Sequence, residues 1–222
     1  MAATLSHAEE DYIKAIYELA EDSGKVSTSA LAGRLGVKAG SVTGMLQTLA
    51  KEKPLLVNYK RHHGVSLTPA GAHIALEVIR HHRLIELYLA EALGYEWDKV
   101  DAEAEKLEHV ISEEFEDRIS AVLGDPAFDP HGDPIPAKDG SIAPHSRLTL
   151  SGVEVGQTAR VARVRDDDPA LLRYLAELGI VPEAIITVAE RAPFDGPIHV
   201  MVGKQAHALG RSVTDKVFVV TA

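Results

Sequence analysis

Residues 26–56 read VSTSALAGRLGVKAGSVTGMLQTLAKEKPLL, and this stretch decides the architecture. Ser27 or Thr28 can cap a short helix that turns Leu31 and Leu35 inward. Gly36 permits a tight turn. A second helix starting near Lys38 buries Val42, Met45, Leu46 and Leu49, spaced i, i+3, i+4, i+7. Its other face offers Lys38, Ala39, Gly40, Ser41, Thr43, Gly44, Gln47, Thr48 and Lys51. Small hydroxyl residues and glycines on an outer face pack against nothing, but they let a helix approach a groove closely. The pattern is a helix-turn-helix whose second helix would enter the major groove of DNA, Thr28 of the first helix lying beside it. A plain αα-hairpin would share the apolar spacing.

Working outward, LLVNYKRHHGVSLT (residues 55–68) gives two short strand-like runs with a basic tip. Tyr59, Lys60 and Arg61 sit there, as a wing reaching phosphate or the minor groove would place them. A solvated loop would look similar, and adjacency to the helix pair favours the wing. Upstream, residues from about Glu9 to Glu21 make a helix with Ile13, Ile16, Tyr17 and Ala20 on one side. Asp11 lies near its N-terminus, where the helix dipole favours an acid in any case. Residues 1–72 thus read as a winged helix-turn-helix DNA-binding domain.

Thr68 and Pro69 open a long helix reaching about Ala92. Its stripe is Val78, His82, Ile85 and Leu89, with Glu86 one turn beyond the histidine. A lone histidine in such a stripe is ordinarily a satisfied core residue. A second acidic stretch, DAEAEKLEHVIS (residues 101–112), changes that balance. On a helix over Asp98–Ile111, Asp101, Glu105, Glu108 and His109 form one line beside the apolar Val100, Ala104, Leu107 and Ile111. Carboxylates flanking a packing stripe repel each other and lose hydration unless a cation sits among them. A solvated acidic face is the plainer alternative. Another helix follows over Ser112–Leu123, then a proline-rich connection from Gly124 to His145. Residues 73–145 read as a helical metal-binding and dimerisation domain. Leu87, Tyr88, Val110 and Ile119 are its expected interface.

Beyond about Leu148 the texture turns to short β runs at 158–164, 184–189, 198–202 and 216–220, with a helix at 169–178. Residues 146–222 read as a small β-barrel. The fold class is mainly α with α+β parts.

Charge supports a division of labour. The 222 residues carry a formal charge of −10, which argues against nucleic acid until it is divided along the chain. From Ser23 to Arg83, nine Lys and Arg face two Glu, a net of +7. From Leu84 to Arg118, twelve acids face three bases, a net of −9. Phosphate contact and cation binding are the two jobs implied. Zero cysteines exclude disulfides, thiolate zinc sites and iron–sulfur ligation. No apolar run is long enough to span a membrane, and MAATLSHAEEDY lacks the basic and apolar regions of a secretory signal. A cytoplasmic protein is expected.

EDYIKAIYEL, the winged helix, RHHRLIE, LEHVISEEFEDRI and the C-terminal barrel, in this order, resemble the diphtheria toxin repressor family. These are metal-activated transcriptional repressors of iron and manganese homeostasis, the long members ending in an SH3-like domain. The resemblance implies a homodimer, a double-stranded DNA operator, no membrane and no enzymatic activity. It implies two metal sites per subunit. One falls on Asp11, Glu105, Glu108 and His109; the other falls on His82, Glu86 and Asp101. A ligand from the barrel would come from Asp166, Asp167 or Asp168, with Asp166 chosen here. Glu105 and Asp11 match manganese sensors, whereas iron sensors carry cysteine and often methionine there. Lys14 departs from the manganese pattern, which has a glutamate at that position. Hard oxygen ligands favour Mn²⁺, with Fe²⁺ the other candidate. A carboxylate-bridged metalloenzyme and a metal-independent winged-helix regulator are the competing readings. The Glu-x-x-His motif of the former fails at Lys106, and the latter leaves His82 among acids unexplained.

Overall fold

A computed structural model describes residues 5–52, 54–165 and 168–221. The chain divides into two compact units. The first comprises the residues up to His81 with Glu108–Val110 and Pro136–Ser141; the second comprises His82–Leu107, Ile111–Ile135 and the chain from Ile142 onward.

In the first unit, helix α1 (His7–Ser23) begins at a capping box. Ser6 and Glu9 satisfy each other's amide reciprocally there, which silences two of the orphan donors of the first turn. Helix α2 (Thr28–Arg34) is capped by Ser27, whose oxygen accepts from the amide of Ala30. Helix α3 (Ala39–Leu49) buries Val42, Leu46 and Leu49, as its spacing requires. Strands β1 (Val57–Tyr59) and β2 (Val65–Leu67) pair antiparallel as the wing. One apolar cluster unites Ile13, Ile16, Leu31, Val42, Leu46, Leu49, Val57 and Val65. Helix α1 therefore shares its core with both helices of the helix-turn-helix.

Helix α4 spans Pro69–Glu91, behind the predicted Thr68–Pro69 start. Thr68 accepts from the amide of Gly71, and Gly71 is where this helix meets the backbone just before β1. A Cβ built on Gly71 would sit 2.1 Å from the carbonyl oxygen of Leu56.

The second unit holds helices α5 (Val100–Leu107) and α6 (Glu113–Val122), the latter capped by Ser112. The helix expected over Asp98–Ile111 is shorter than the periodicity implies: Glu108, His109 and Val110 form a turn beyond Leu107. The supposed continuous line of Asp101, Glu105, Glu108 and His109 is thus broken after Glu105. Two expected interface residues also move inside. Leu87 and Ile119 are buried in one cluster of their own subunit with Leu84 and Ile135. Val110 remains exposed and Tyr88 half-buried.

The C-terminal part is a five-stranded antiparallel sheet. Its strands are β3 (Thr158–Val164), β4 (Ile185–Arg191), β5 (Ile198–Val202), β6 (Gln205–Leu209) and β7 (Val217–Thr221), in the order β6-β5-β4-β3-β7. Helix α7 (Pro169–Glu177) enters behind Asp168, whose carboxylate caps the amides of Ala170 and Leu171. A short helix α8 (Arg211–Thr214) precedes the last strand. Register shifts at Val161/Arg163 and Val188/Glu190 bend β3 and β4, as bulges do. This is the SH3-like architecture expected from the sequence. Strand β6 was not anticipated, since QAHAL lacks β-branched residues. Among the described residues, no helix is long and apolar enough to cross a membrane.

The Gly71 contact is testable. Gly71→Ala should lower the unfolding free energy by about 1–3 kcal/mol, the usual cost of overpacking; urea denaturation of the metal-free protein measures it.

Candidate metal centre and nucleic-acid face

In the first unit, acids from α1 meet the Glu108–Val110 turn. His109 is held between two carboxylates: Nδ1 lies 2.7 Å from Glu10 Oε2 and Nε2 lies 2.7 Å from Asp11 Oδ1. His7 stacks on its ring at 4.9 Å between centroids. The Glu108 carboxylate is buried, with Oε1 at 3.4 Å from His109 Nε2. Asp11, Glu108 and His109 each bring one ligand atom within 4.8 Å of the others. Two hard oxygens and one imidazole nitrogen suit a divalent first-row ion.

The turn itself explains why α5 stops. The Glu108 carbonyl accepts from Nδ1 of His81 at 3.1 Å. Its carboxylate accepts from the buried ammonium of Lys14, with Nζ 2.8 Å from Oε2 and 3.1 Å from Oε1. A buried carboxylate without such a partner is costly, so these bonds outweigh one further turn of helix. Lys14 stood out in the sequence only as a departure from a pattern. In the structure it is the fixed counter-charge of the centre. Glu10, beside Asp11 on α1, is a further candidate ligand that the sequence reading missed. Its adjacency to Asp11 was visible, but which acid of helix α1 faces His109 was not.

In the second unit, His82 Nε2 lies 3.4 Å from Asp101 Oδ1 and 3.6 Å from Glu86 Oε1. These three also form a group within 4.8 Å. His82 and Glu86 are buried on α4, and Asp101 is half-buried on α5. Glu105 is exposed on α5, with a carboxylate oxygen within 4.8 Å of a His82 ring nitrogen. Asp166 lies outside the described residues, and Asp168 is engaged as the cap of α7.

The residues expected to face DNA lie on the first unit. Lys38, Ala39, Gly40, Ser41, Gln47 and Lys51 are exposed along α3; Thr28, Thr43 and Tyr59 are half-buried; Lys60 and Arg61 are exposed at the wing. A Cβ built on Gly40 or Gly44 would meet nothing within 4 Å, so this face of α3 is open. The wing turns through His62 and Gly64 at positive φ, and a Cβ on Gly64 would crowd the Val26 carbonyl at 2.9 Å.

Comparison with known proteins agrees part by part. Residues 4–65 match the family described as "Iron dependent repressor, N-terminal DNA binding domain". Residues 68–137 match "Iron dependent repressor, metal binding and dimerisation domain", and residues 148–221 match "FeoA domain". The iron-dependent repressor IdeR of Mycobacterium leprae is 32% identical over 209 residues, covering 88% of this chain and 89% of that one. The diphtheria toxin repressor of Corynebacterium diphtheriae is 35% identical over 147 residues, 66% of this chain and 64% of that protein. Among solved structures, a manganese-dependent transcriptional repressor in complex with manganese superposes with a TM-score of 0.90. It is 39% identical and covers 96% of this chain and 100% of its own. ScaR with bound Cd²⁺ superposes at 0.83 with 30% identity, over 96% of this chain and 99% of its own.

The Lys14–Glu108 pair predicts a coupling between metal and stability. Lys14→Met should cost about 3–5 kcal/mol in chelator, the usual penalty for stranding a buried charge. Saturating Mn²⁺ should narrow that gap, because the metal would then be the counter-charge of Glu108. Urea titrations with chelator and with Mn²⁺ give both values.

Proposed function

The chain belongs to the diphtheria toxin repressor family of iron-dependent repressors, and on that premise we propose that it is a Mn²⁺-preferring switch acting on metal-uptake genes. It is a metal-dependent transcriptional repressor with a dimerisation domain. The finer reading is a cytoplasmic homodimer with two metal sites per subunit, binding a double-stranded operator; Fe²⁺ is the second candidate effector. The sites are Asp11, Glu108 and His109, with Glu10 added, and His82, Glu86 and Asp101, with Glu105 beside them.

One observation carries this reading: His109 joins the carboxylates of α1, and α1 shares its apolar core with α2 and α3. A divalent cation would supply the shared counter-charge that lets Asp11, Glu10 and Glu108 converge on His109. Without it, like charges on α1 and at Glu108 oppose each other, with Lys14 as the counter-charge paired to Glu108. The opposite face of α1 places Ile13 and Ile16 in the same apolar cluster as Leu31, Val42 and Leu46. Fixing the acidic face of α1 would therefore bear, through that shared core, on α3, the helix proposed to read the groove. A single such helix covers few base pairs, so two subunits at one spacing are needed. Lys38, Lys51, Lys60 and Arg61 would neutralise phosphates and give a steep salt dependence.

Ligand chemistry supports manganese. All proposed donors are carboxylate oxygens and imidazole nitrogens, and the chain has no cysteine to offer a soft ligand.

Linkage sets the size of the switch. A coupling of roughly 1–3 kcal/mol gives about 5- to 150-fold in operator affinity, and the operator must tighten metal binding by the same factor. Asp11→Ala should remain a folded dimer whose operator affinity no longer responds to Mn²⁺, while weak non-specific binding survives. Fluorescence anisotropy with chelator and with saturating Mn²⁺ checks this, and a fully metal-dependent mutant would remove Asp11 from the switch. Glu105→Cys should raise the response to Fe²⁺ or softer ions relative to Mn²⁺; an unchanged metal ranking would separate Glu105 from selectivity.

A further inference from the structure

The wing of the first unit carries a cavity of about 510 Å³ that the metal switch does not use. It forms where two segments meet edge to edge. Val26, between α1 and α2, bridges to Val65 of β2: its amide donates to the Val65 carbonyl at 3.0 Å, and its carbonyl accepts from the Val65 amide at 2.9 Å. Gly64 permits this approach, since a Cβ there would lie 2.9 Å from the Val26 carbonyl oxygen. Lys25 is thereby set beside the wing tip, its Cβ 3.6 Å from the same position.

Lys25, Lys60 and His63 line the cavity, which brings two ammonium groups and an imidazole to one concavity. All three residues are exposed. Among the described residues, none of these side chains makes an ion pair or a hydrogen bond, and no acid lines the cavity. Cations gathered at a concave surface without a counter-charge focus a positive potential there. The pleat of the wing adds neutral donors. Val57 and Val65 are buried, so Asn58 and Ser66, which are register partners, stand on the outer side, and both line the cavity. Ala50 and Leu55, the latter 45% exposed, give it an apolar wall, and Tyr59 adds an aromatic ring.

This donor set exceeds what one carboxylate can use. A phosphate monoester brings a charge of about −1.5 to −2 and three acceptor oxygens. The apolar wall and the ring call for a body beyond the phosphate, and a nucleobase stacks on such a ring. Small-ligand sites run to roughly 300–1,000 Å³, and this cavity falls within that range. A DNA duplex offers one charge per phosphate and keeps its bases stacked inside, so it would leave Leu55 uncovered.

We propose that this cavity binds a small phosphorylated molecule with a flat apolar body, of the mononucleotide class, with its phosphate among Lys25, Lys60 and His63. Tyr59 and Lys60 also belong to the expected DNA face, so ligand and operator would compete for them. That consequence rests on the proposed operator-binding reading; the site itself does not.

The test is titration calorimetry on the full-length protein in chelator, with AMP, inorganic phosphate and adenosine as probes. Chelator ensures that no phosphate is held by a metal ion. AMP should bind saturably, once per subunit, and more tightly than phosphate or adenosine. Lys25→Gln should weaken AMP by about tenfold, the usual loss for one hydrogen bond to a charged group. Leu55→Asp, which sets an acid in the wall, should abolish binding. Both residues are exposed, and circular dichroism checks that the variants fold. No saturable binding of AMP, phosphate binding as tightly as AMP, or equal affinity of wild type and both variants would overturn the proposal. Weaker operator binding by Lys25→Gln, in a protein that takes no AMP, would overturn it too and assign the cavity to the duplex backbone. AMP that binds without displacing the operator would leave the site standing and remove only its link to DNA.

Discussion

Burying a carboxylate obliges the protein to bring it a positive partner, and Glu108 is where that obligation shapes the fold. Its side chain is 0% exposed and rests on the Lys14 ammonium, while its own carbonyl is taken by His81. To make both contacts the chain leaves helix α5 at Leu107 and turns. The turn presents His109 to Glu10 and Asp11 of α1. Six charged or ionisable side chains, from α1, α4 and the turn, thus meet at one place. Because α1 also contributes Ile13 and Ile16 to the core of the helix-turn-helix, an electrostatic event at Glu108 is mechanically connected to α3.

Much of this was legible in the residues. The winged helix follows from local rules: Ser27 caps α2, Val42, Leu46 and Leu49 repeat at helical spacing, and Thr68–Pro69 opens α4. His82 and Glu86 share a face of α4 whatever surrounds them, so their pairing was readable too. The end of α5 was not. Nothing in EKLEHVIS stops a helix; no glycine or proline intervenes, and the apolar period continues through Ile111. The terminator is a bond from Lys14, 94 residues away, which no local rule contains. Leu87 and Ile119, expected at an interface, are buried within their own subunit for a related reason. An apolar stripe shows that a face is covered, but not whether its own chain or a second copy covers it.

Lys14 also bears on how many cations the first centre holds. A glutamate at that place would add a fourth carboxylate to Glu10, Asp11 and Glu108, and would call for more positive charge. An ammonium supplies one positive charge and removes one negative one. The tethered cation keeps Glu108 neutralised whether or not metal is present, so the metal-free protein need not unfold to relieve the repulsion. On the proposed reading, metal would hold α1 against His109 rather than fold the chain.

The second unit meets the same obligation differently. Glu86 and Asp129 are buried too, and the nearby guanidinium of Arg83 is divided among Asp129, Asp133 and the Pro134 carbonyl. A rigid fork of donors cannot close on three acceptors at once. The donor elements are each held by contacts independent of any ion: Leu84 and Leu87 pin α4 in an apolar cluster, and Val164 and Arg163 pin the loop. Positions fixed in this way cannot relax outward to relieve two converging carboxylates. The strain therefore falls on protonation or on cation capture. Asp129 illustrates the first route: burial raises its carboxyl pKa first, and the charges of Glu86 and Asp133 add to the rise.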